Sequence, residues 1–340
     1  MAYNAEPVVT VVRGETIEAI HNASIAVINQ EGRLTHYLGN PDDVFMTRSS
    51  IKPFQLLPLI LTGAAKKYGF TLEQLAIMCG SHTGSDKHRE VVLKNLKLAG
   101  NSPEDLGCGC HWPIGMEMEK EYPYKEEDKD PTRHNCSGKH SGFLALARFL
   151  GDKPEDYLNP DSKTQQLIKK TLAEYAEYDE KSMPFAIDGC SAPNYPLPIQ
   201  KLALAFKKLA NGEGDSPEVS DAVNTIKKAM TQYPYMVSGD NRLDYDLMRS
   251  FPGNLVCKIG AESIEGIGMS EPSLGICVKI YDGNFRALGP VCVEVLKQLG
   301  IIQNLDDYPY LKGHEEPEVR NARDIVTGKI ISGFKLKKVT

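Results

Sequence analysis

Strand-forming residues concentrate at the two ends of this 340-residue chain, whereas the middle carries mainly helical patterns. β-Branched runs occur at residues 8–12 and 23–28 and again at 254–259 and 276–281. Strands from the two ends must pair with one another to complete a sheet, and helices from the intervening chain would flank it. The pattern therefore predicts an α/β fold whose sheet is built from N- and C-terminal strands.

The same distribution predicts how the chain divides. Residues 1–65 and 250–340 are expected to form one discontinuous α/β domain, and residues 66–249 a mainly helical region. We expect the active site in the cleft between these two parts.

Turn and capping signals predict several local elements. Residues 8–38 indicate an antiparallel meander, and Asp282-Gly283 predicts a hairpin that joins 276–281 to 285–287. Thr71, followed three residues later by Gln74, predicts a capping box. Ser85 is expected to cap a helix that ends near Leu98.

Composition narrows the classes of protein that fit. The net charge is -6 and the basic residues are scattered, which argues against nucleic-acid binding. No apolar run approaches a membrane-spanning length, and the N-terminus shows no secretory signal, so we expect no membrane association and a cytoplasmic location. Disulfides are rare there, so the eight cysteines are expected in the core, in a metal site or as reactive thiols.

The segment Arg48-Ser49-Ser50-Ile51-Lys52 places a hydroxyl and an amine three residues apart where an apolar helix begins. Residues three apart share a helix face, so Ser49 and Lys52 could interact directly. Serine needs a neighbouring base to become a nucleophile, and a lysine serves as that base only when its surroundings keep it neutral. The alternative for this short motif is an ordinary helix start.

Further candidate residues lie in three other segments. Cys79-Gly80-Ser81-His82-Thr83-Gly84 brackets Ser81 and His82 with glycines, which allow close backbone approach to a ligand, although a simple turn has the same pattern. Lys258 lies late in a predicted strand, where a solvated lysine is common. The histidines and cysteines of two segments, His134-Asn135-Cys136-Ser137-Gly138-Lys139-His140 and Asp188-Gly189-Cys190, suggest zinc ligands or buried free thiols.

The order of these segments is informative. A Ser-x-x-Lys, a later serine and then a Lys-x-Gly strand resemble the plan of penicillin-recognising serine hydrolases. Ser81-His82-Thr83 lacks the asparagine usual in those enzymes, and Ile259 replaces their usual Thr or Ser. Both departures weigh against a β-lactamase or a cell-wall peptidase.

The same segments, with Met236-Val237-Ser238-Gly239 and Lys258-Ile259-Gly260-Ala261-Glu262, resemble the asparaginase II family, also called the Rhizobium etli type. The resemblance covers residues 48 to 262. It implies hydrolysis of L-asparagine to L-aspartate and ammonia, a fold related to serine β-lactamases and glutaminases, and a homodimer.

The resemblance also implies roles for individual residues. The catalytic set would be Ser49 as nucleophile, Lys52 as the amine beside it, Ser81 and Lys258. A zinc ion, Zn²⁺, would be held by Cys136, Lys139 and Cys190, whereas the residue pattern alone had favoured His134 or His140 over Lys139. Arg48, His82 and Asp188 are candidates for binding the substrate, with Asp188 facing its ammonium and Arg48 its carboxylate.

One position departs from the family pattern. The family often has a cysteine near residues 242–244, and this chain has Asp244 there. The change removes no nucleophile or metal ligand, and we expect it to affect the rim of the pocket or substrate affinity. The competing hypotheses are a glutaminase or β-lactamase-like hydrolase, and a non-catalytic zinc-binding or thiol-sensor protein that uses Cys136 and Cys190.

Overall fold

The computed structural model describes residues 4–119 and 125–339. The strands within these residues are β1 (Glu6–Arg13), β2 (Thr16–Ile28), β3 (Leu34–Leu38), β4 (Val44–Met46), β5 (Ala186–Ile187), β6 (Pro193–Asn194), β7 (Pro196–Pro198), β8 (Leu255–Gly260), β9 (Ile264–Met269), β10 (Leu274–Ile280), β11 (Glu318–Arg320), β12 (Val326–Ser332) and β13 (Lys337–Lys338). The helices are α1 (Lys52–Leu61), α2 (Ala64–Tyr68), α3 (Leu72–Met78), α4 (Asp86–Leu98), α5 (Ile114–Glu119), α6 (Ser137–Leu150), α7 (Lys163–Tyr175), α8 (Ile199–Asn211), α9 (Pro217–Gln232), α10 (Pro234–Val237), α11 (Leu243–Ser250), α12 (Leu288–Gln298) and α13 (Lys312–Glu315). Short 3₁₀ turns join many of these elements. The predicted α/β class is confirmed.

The chain divides into two compact units. Unit 1 comprises the residues up to Ser50, Leu197–Lys207 and the residues from Asp246 onward, and unit 2 comprises Ile51–Pro196 and Lys208–Tyr245. The domain boundaries at residues 65 and 250 stay a prediction.

Unit 1 is built on a nine-stranded sheet in the order β11-β12-β1-β2-β10-β9-β8, with β3 pairing with both β2 and β13. The pairs are antiparallel, including β2 with β10, which joins N-terminal and C-terminal strands. In that pair Val27 lies opposite Ile276 and Ile25 opposite Val278, and all four side chains are buried. The predicted sheet from the two ends of the chain, and the meander of β1 to β3, are confirmed.

Gly266 shows how closely a helix packs on this sheet. A Cβ atom at Gly266 would lie within 2.0 Å of the Phe206 ring, on the part of α8 that belongs to unit 1. Only a glycine leaves room for that ring, so the Phe206 ring of α8 occupies the space that a side chain at Gly266 would need.

Unit 2 is mainly helical, and α1 packs against α6, α7 and α9. Almost every residue of α1 is buried, which agrees with a helix that is apolar around most of its surface. Phe54 stacks on Tyr175 of α7 with ring centroids 5.5 Å apart. Pro53 stands in the first turn of α1, where its missing amide proton costs no hydrogen bond.

Both predicted helix caps are confirmed. Thr71 and Gln74 form a reciprocal capping box at the start of α3. The hydroxyl of Ser85 accepts a hydrogen bond from the amide of His88 and begins α4, which ends at Leu98.

The hairpin predicted around Asp282-Gly283 is wrong. After β10 ends, Asn284 accepts a hydrogen bond from the Arg286 amide, and residues 285–287 form a 3₁₀ turn that leads into α12. Strand β10 instead pairs with β9, which precedes it, and β9 also forms a hairpin with β8 whose turn holds Glu262 and Ser263 at φ values of 60° and 53°. Because neither residue is glycine or asparagine, the sequence carried no turn signal there.

Throughout residues 4–119 and 125–339, each helix is either too short or too polar to cross a bilayer.

Candidate functional site

Ser49 lies in a 3₁₀ turn, Arg48–Ile51, that runs directly into α1. Its side chain is half-buried. Arg48, which precedes it, has a φ of 51°, a left-handed conformation that costs free energy for a residue with a Cβ atom. Ser50 anchors the turn, because its amide and its hydroxyl both donate to the carbonyl of Thr47, at 3.2 and 2.6 Å. Ser49 is therefore presented on a strained but firmly anchored turn.

Strand β8 passes against this turn within unit 1. A Cβ atom at Gly260 would lie 2.6 Å from the carbonyl oxygen of Thr47 and 3.2 Å from the amide nitrogen of Ser50. Lys258 lies two residues earlier on the same strand, is fully buried, and donates to the carbonyl of Ile259 at 3.1 Å. The end of β8 and the Ser49 turn are thus close-packed, backbone against backbone.

Lys52 is the first residue of α1 and is only 1% exposed. Its Nζ lies 2.6 Å from the carbonyl oxygen of Gly80 and 2.9 Å from the hydroxyl oxygen of Ser81. These two residues belong to the loop between α3 and α4. The structure therefore brings together Lys52 and Ser81, two of the predicted catalytic side chains.

Backbone and side-chain hydrogen bonds hold this loop on both sides. The Ser81 amide donates to the Val237 carbonyl at 2.8 Å, and the Ser81 carbonyl accepts from Arg242 at 2.7 Å. The His82 amide donates to the Asn135 carbonyl at 3.2 Å. Since Asn135 precedes Cys136, one loop links the lysine–serine pair to the cysteine cluster.

His82 is fully buried behind the loop. Its Nε2 lies 3.0 Å from the Ser137 hydroxyl, which itself donates to the Thr132 carbonyl, so Nε2 carries the proton. Its ring stacks on His88 at 4.8 Å, and among the described residues Nδ1 has no hydrogen-bond partner. Burial lowers the pKa of His82 well below its usual value, which keeps the ring neutral. Substrate binding by His82 stays a prediction.

Cys136, Lys139 and Cys190 form a buried cluster in unit 2. Cys136 begins α6, Lys139 lies in its first turn, and Cys190 lies in the short loop after β5. Lys139 Nζ donates to the Cys190 sulfur at 2.9 Å. A hydrogen bond from Cys136, together with the charge of Lys139, lowers the pKa of Cys190 far below that of a free thiol.

The two partners of Cys190 have pKa values raised above their usual ones. The hydrogen bond to Cys190, and then burial, raise the pKa of Cys136 well above its usual value. Burial alone would lower the pKa of Lys139, but the two cysteines outweigh it and raise that pKa. Cys136 and Lys139 therefore both favour the deprotonated form of Cys190.

Two neighbours complete the surroundings of this cluster. His140 Nδ1 lies 2.6 Å from the Tyr157 hydroxyl, and the same ring interacts with the Cys190 sulfur and helps to lower the pKa of that thiol. Asp188 is half-buried, and its charge contributes to the raised pKa of Lys139. The structure thus places Asp188 within electrostatic range of the cluster.

The sequence analysis missed Arg242. The adjacent segment 236–239 was recognised, but nothing in the pattern indicated that the next arginine would bind the Ser81 carbonyl. Asp244 is 1% exposed in α11, so its side chain belongs to the protein interior rather than to an exposed rim.

Comparisons with known proteins give one family. The sequence model of the family described as L-asparaginase II matches residues 9–332. A search of curated proteins gives no match.

Three solved structures show distant similarity. An octameric penicillin-binding protein homologue from Pyrococcus abyssi is 14% identical, with 85% of this chain and 75% of that chain covered and a TM-score of 0.46. Mglu in its native form is 15% identical, with 83% and 63% covered and a TM-score of 0.39. A β-lactamase from Mycobacterium bovis is 12% identical, with 81% and 94% covered and a TM-score of 0.44. Identities and TM-scores this low carry no inference about chemistry.

Proposed function

Because the chain belongs to the L-asparaginase II family, which implies amidohydrolase activity on a small molecule, we propose that it hydrolyses L-asparagine to L-aspartate and ammonia. The observation that carries the catalytic part of the proposal is the buried hydrogen bond between Lys52 Nζ and Ser81 Oγ. This hydrogen bond puts the Lys52 amine in contact with a hydroxyl, and Lys52 follows Ser49 by three residues.

Ser49 is the proposed nucleophile. Its oxygen attacks the side-chain amide carbon of asparagine while its proton passes to Lys52, either directly or through the Ser81 hydroxyl. The C–N bond then breaks, and the same proton leaves with the departing amino group as ammonia. Water attacks the resulting ester and gives a proton to the base. The C–O bond to Ser49 then breaks, the base returns that proton to the Ser49 oxygen, and L-aspartate is released.

The surroundings of Lys52 suit a neutral amine. Burial disfavours an ammonium group. Lys52 and Lys139 line the same internal void of about 10 Å³. A neutral Lys52 can donate one proton to the Gly80 carbonyl and still offer its lone pair to the Ser81 hydroxyl. Lys258 assists in this proton transfer.

The tetrahedral intermediate needs hydrogen-bond donors for its oxyanion. We assign this role to backbone amides that include the amide of Ser49, since amides fixed before the reaction stabilise developing charge without reorganisation. The anchoring of the turn through Ser50 and Thr47 supports such a role.

The donor set of the buried cluster fits Zn²⁺. Cys136, Lys139 and Cys190 offer two sulfur atoms and one nitrogen that share protons, and soft sulfur and nitrogen ligands are those zinc prefers. His140 also lies beside Cys190 and adds a further nitrogen to these surroundings. When bound, zinc would position the substrate or act as a Lewis acid. Asp188 would bind the substrate ammonium and Arg48 its carboxylate.

A substrate panel tests the proposal against its alternatives. Ammonia release is measured with L-asparagine and L-glutamine, and nitrocefin reports β-lactamase activity. L-Asparagine is expected to give the highest kcat/KM, and Lys52→Met to abolish turnover, whereas the exposed Ser182→Ala serves as the control. A preference for L-glutamine or nitrocefin would favour the other hydrolases. Bound zinc without amide hydrolysis would favour a zinc-binding or thiol-sensor protein.

The oligomeric state is a separate proposal. We propose a homodimer in solution, which light scattering of the purified protein would distinguish from a monomer or a larger assembly.

A further inference from the structure

We propose that Arg242 is a positioning residue for Ser81, which it fixes by binding the Ser81 carbonyl. The proposal rests on the proposed function, because Ser81 matters only if it serves the Lys52 amine. Arg242 is not proposed to touch the substrate. It acts on the loop that carries the serine.

The hydrogen bonds of Ser81 support this role. Its carbonyl accepts from Arg242 Nη1 at 2.7 Å, and its amide donates to the Val237 carbonyl at 2.8 Å. Val237 is the last residue of α10 and Arg242 directly precedes α11, so both partners come from residues 237–242. Both backbone groups of Ser81 are therefore held by one segment, which fixes its backbone and so the direction of its side chain.

The packing of the loop adds a second anchor. A Cβ atom at Gly239 would lie 2.6 Å from the Thr83 side chain, so the same segment also touches the loop two residues beyond Ser81. On the other side, Lys52 binds the Gly80 carbonyl and the Ser81 hydroxyl. Ser81 thus lies between an arginine that holds its backbone and a lysine that uses its side chain.

Arg242 matters more than a generic surface arginine because its contact is directional. Arg242 is half-buried, and its guanidinium gives the Ser81 carbonyl a charge-assisted hydrogen bond that the variant would lack. Without that bond, the peptide between Ser81 and His82 is held only by the His82 amide, which donates to the Asn135 carbonyl at 3.2 Å. Shifts of about 1 Å at a catalytic group cost on the order of a hundredfold in rate.

The test is a double-mutant cycle with Ser81. Arg242→Gln is expected to lower kcat about ten- to a hundredfold with KM within about twofold, since it misplaces a catalytic group without removing it. Arg242→Lys, which keeps one charged donor, is expected to recover a large part of the loss. In a Ser81→Ala background, Arg242→Gln is expected to lower kcat by less than about twofold beyond the loss that Ser81→Ala itself causes. The effects of residues that act as one unit are not additive.

A control variant and a second readout keep the result interpretable. Arg320→Gln removes an exposed arginine that likewise donates to a carbonyl, that of Asp324, and is expected to leave kcat unchanged. The rate at which a fluorophosphonate labels Ser49, followed by mass spectrometry, reports activation without any substrate.

The outcomes separate the two proposals. Equal losses from Arg242→Gln in the wild-type and Ser81→Ala backgrounds, or no loss in either, would overturn the positioning role. If the wild-type protein releases no ammonia from L-asparagine, the proposed function fails, and the same cycle is read from the Ser49 labelling rate. A slower labelling in Arg242→Gln that disappears in the Ser81→Ala background would then still support the role of Arg242.

Discussion

The amine of Lys52 and the hydroxyl of Ser81 lie 2.9 Å apart, although 29 residues separate them in the chain. Lys52 is 1% exposed and Ser81 is 4% exposed, so water competes little for this hydrogen bond. The Gly80 carbonyl oxygen, 2.6 Å from Lys52 Nζ, accepts a proton from the same buried amine. The first turn of α1 and the loop before α4 therefore hold the amine and the hydroxyl in contact.

The two serines of the Arg48–Ile51 turn should respond differently to removal. Ser49→Ala is expected to lower kcat by about four orders of magnitude, because the nucleophile is lost. Ser50→Ala loses the buried hydrogen bond to the Thr47 carbonyl and is expected to cost about 1 kcal/mol of unfolding free energy while keeping most activity. Ammonia release measures kcat, and urea unfolding measures the free energy of unfolding. Full activity in Ser49→Ala would exclude Ser49 as the nucleophile.

The cysteine cluster predicts the response to loss of a ligand. Cys190→Ser is expected to reduce bound zinc from about one ion per chain to almost none, because sulfur ligands dominate zinc affinity. The exposed Cys110→Ser keeps the same number of remaining thiols and serves as the control. Metal content is measured by atomic emission after purification in zinc-containing buffer. Unchanged zinc in Cys190→Ser would place the metal elsewhere.

Chelation then tests what the metal does. If zinc positions the substrate, its removal is expected to raise KM for L-asparagine more than it lowers kcat, since binding energy is lost before chemistry begins. Readdition of zinc should restore the wild-type values. A fall in kcat alone would instead indicate Lewis-acid chemistry.

His88 predicts how stability depends on pH. Burial lowers the pKa of His88 from 6.5 to about 4. The unfolded chain therefore binds a proton between about pH 6.5 and pH 4 that the folded chain does not, so this residue destabilises the fold as pH falls through that window. This pKa shift corresponds to a loss of roughly 3 kcal/mol of unfolding free energy at most, at about 1.4 kcal/mol per unit of pKa.

The matched variant for this effect is His88→Gln, which keeps an amide donor for the Tyr235 carbonyl, 2.8 Å from His88 Nε2. Urea unfolding at pH 7 and at pH 4.5 should show a smaller loss of stability in the variant than in the wild type. Parallel losses in the two proteins would assign the acid sensitivity to other groups.

Local signals in the sequence predicted elements that neighbouring residues alone determine. The capping box of Thr71 and Gln74 is one example, and the antiparallel pairing of β1 with β2 is another. The hairpin at Asp282 failed because Asn284 starts a 3₁₀ turn, which competes for the same backbone. The hairpin between β8 and β9 was missed because Glu262 and Ser263 adopt left-handed conformations that their residue types disfavour.

The candidate site was predictable only in part. The motifs named Lys52 and Ser81, but their contact depends on how α1 packs in unit 2, which no spacing encodes. Lys139 was named through the family resemblance, because a lysine does not look like a metal ligand in a sequence. Arg242 was missed because its only signal is a long-range hydrogen bond to a backbone carbonyl.

Gly260 gives the sharpest test of how strand β8 supports the Ser49 turn. A methyl group there would lie 2.6 Å from the Thr47 carbonyl oxygen and 3.2 Å from the Ser50 amide nitrogen. Both atoms belong to the backbone and cannot rotate away, so the turn that carries Ser49 must shift. Gly260→Ala is expected to lower kcat by about tenfold or more, because misplacing a reacting group by a fraction of an ångström is costly.

The control is Gly313→Ala, where an added Cβ atom meets nothing within 4 Å and the residue lies in a helix. That change is expected to leave kcat unchanged and to keep or raise the melting temperature, since alanine favours helices over glycine. A Gly260→Ala variant with wild-type kcat, and with a melting temperature equal to that of Gly313→Ala, would show that the Ser49 turn does not depend on close packing against β8. A lowered kcat with an unchanged melting temperature would instead place the effect of Gly260 on the reacting geometry rather than on the fold.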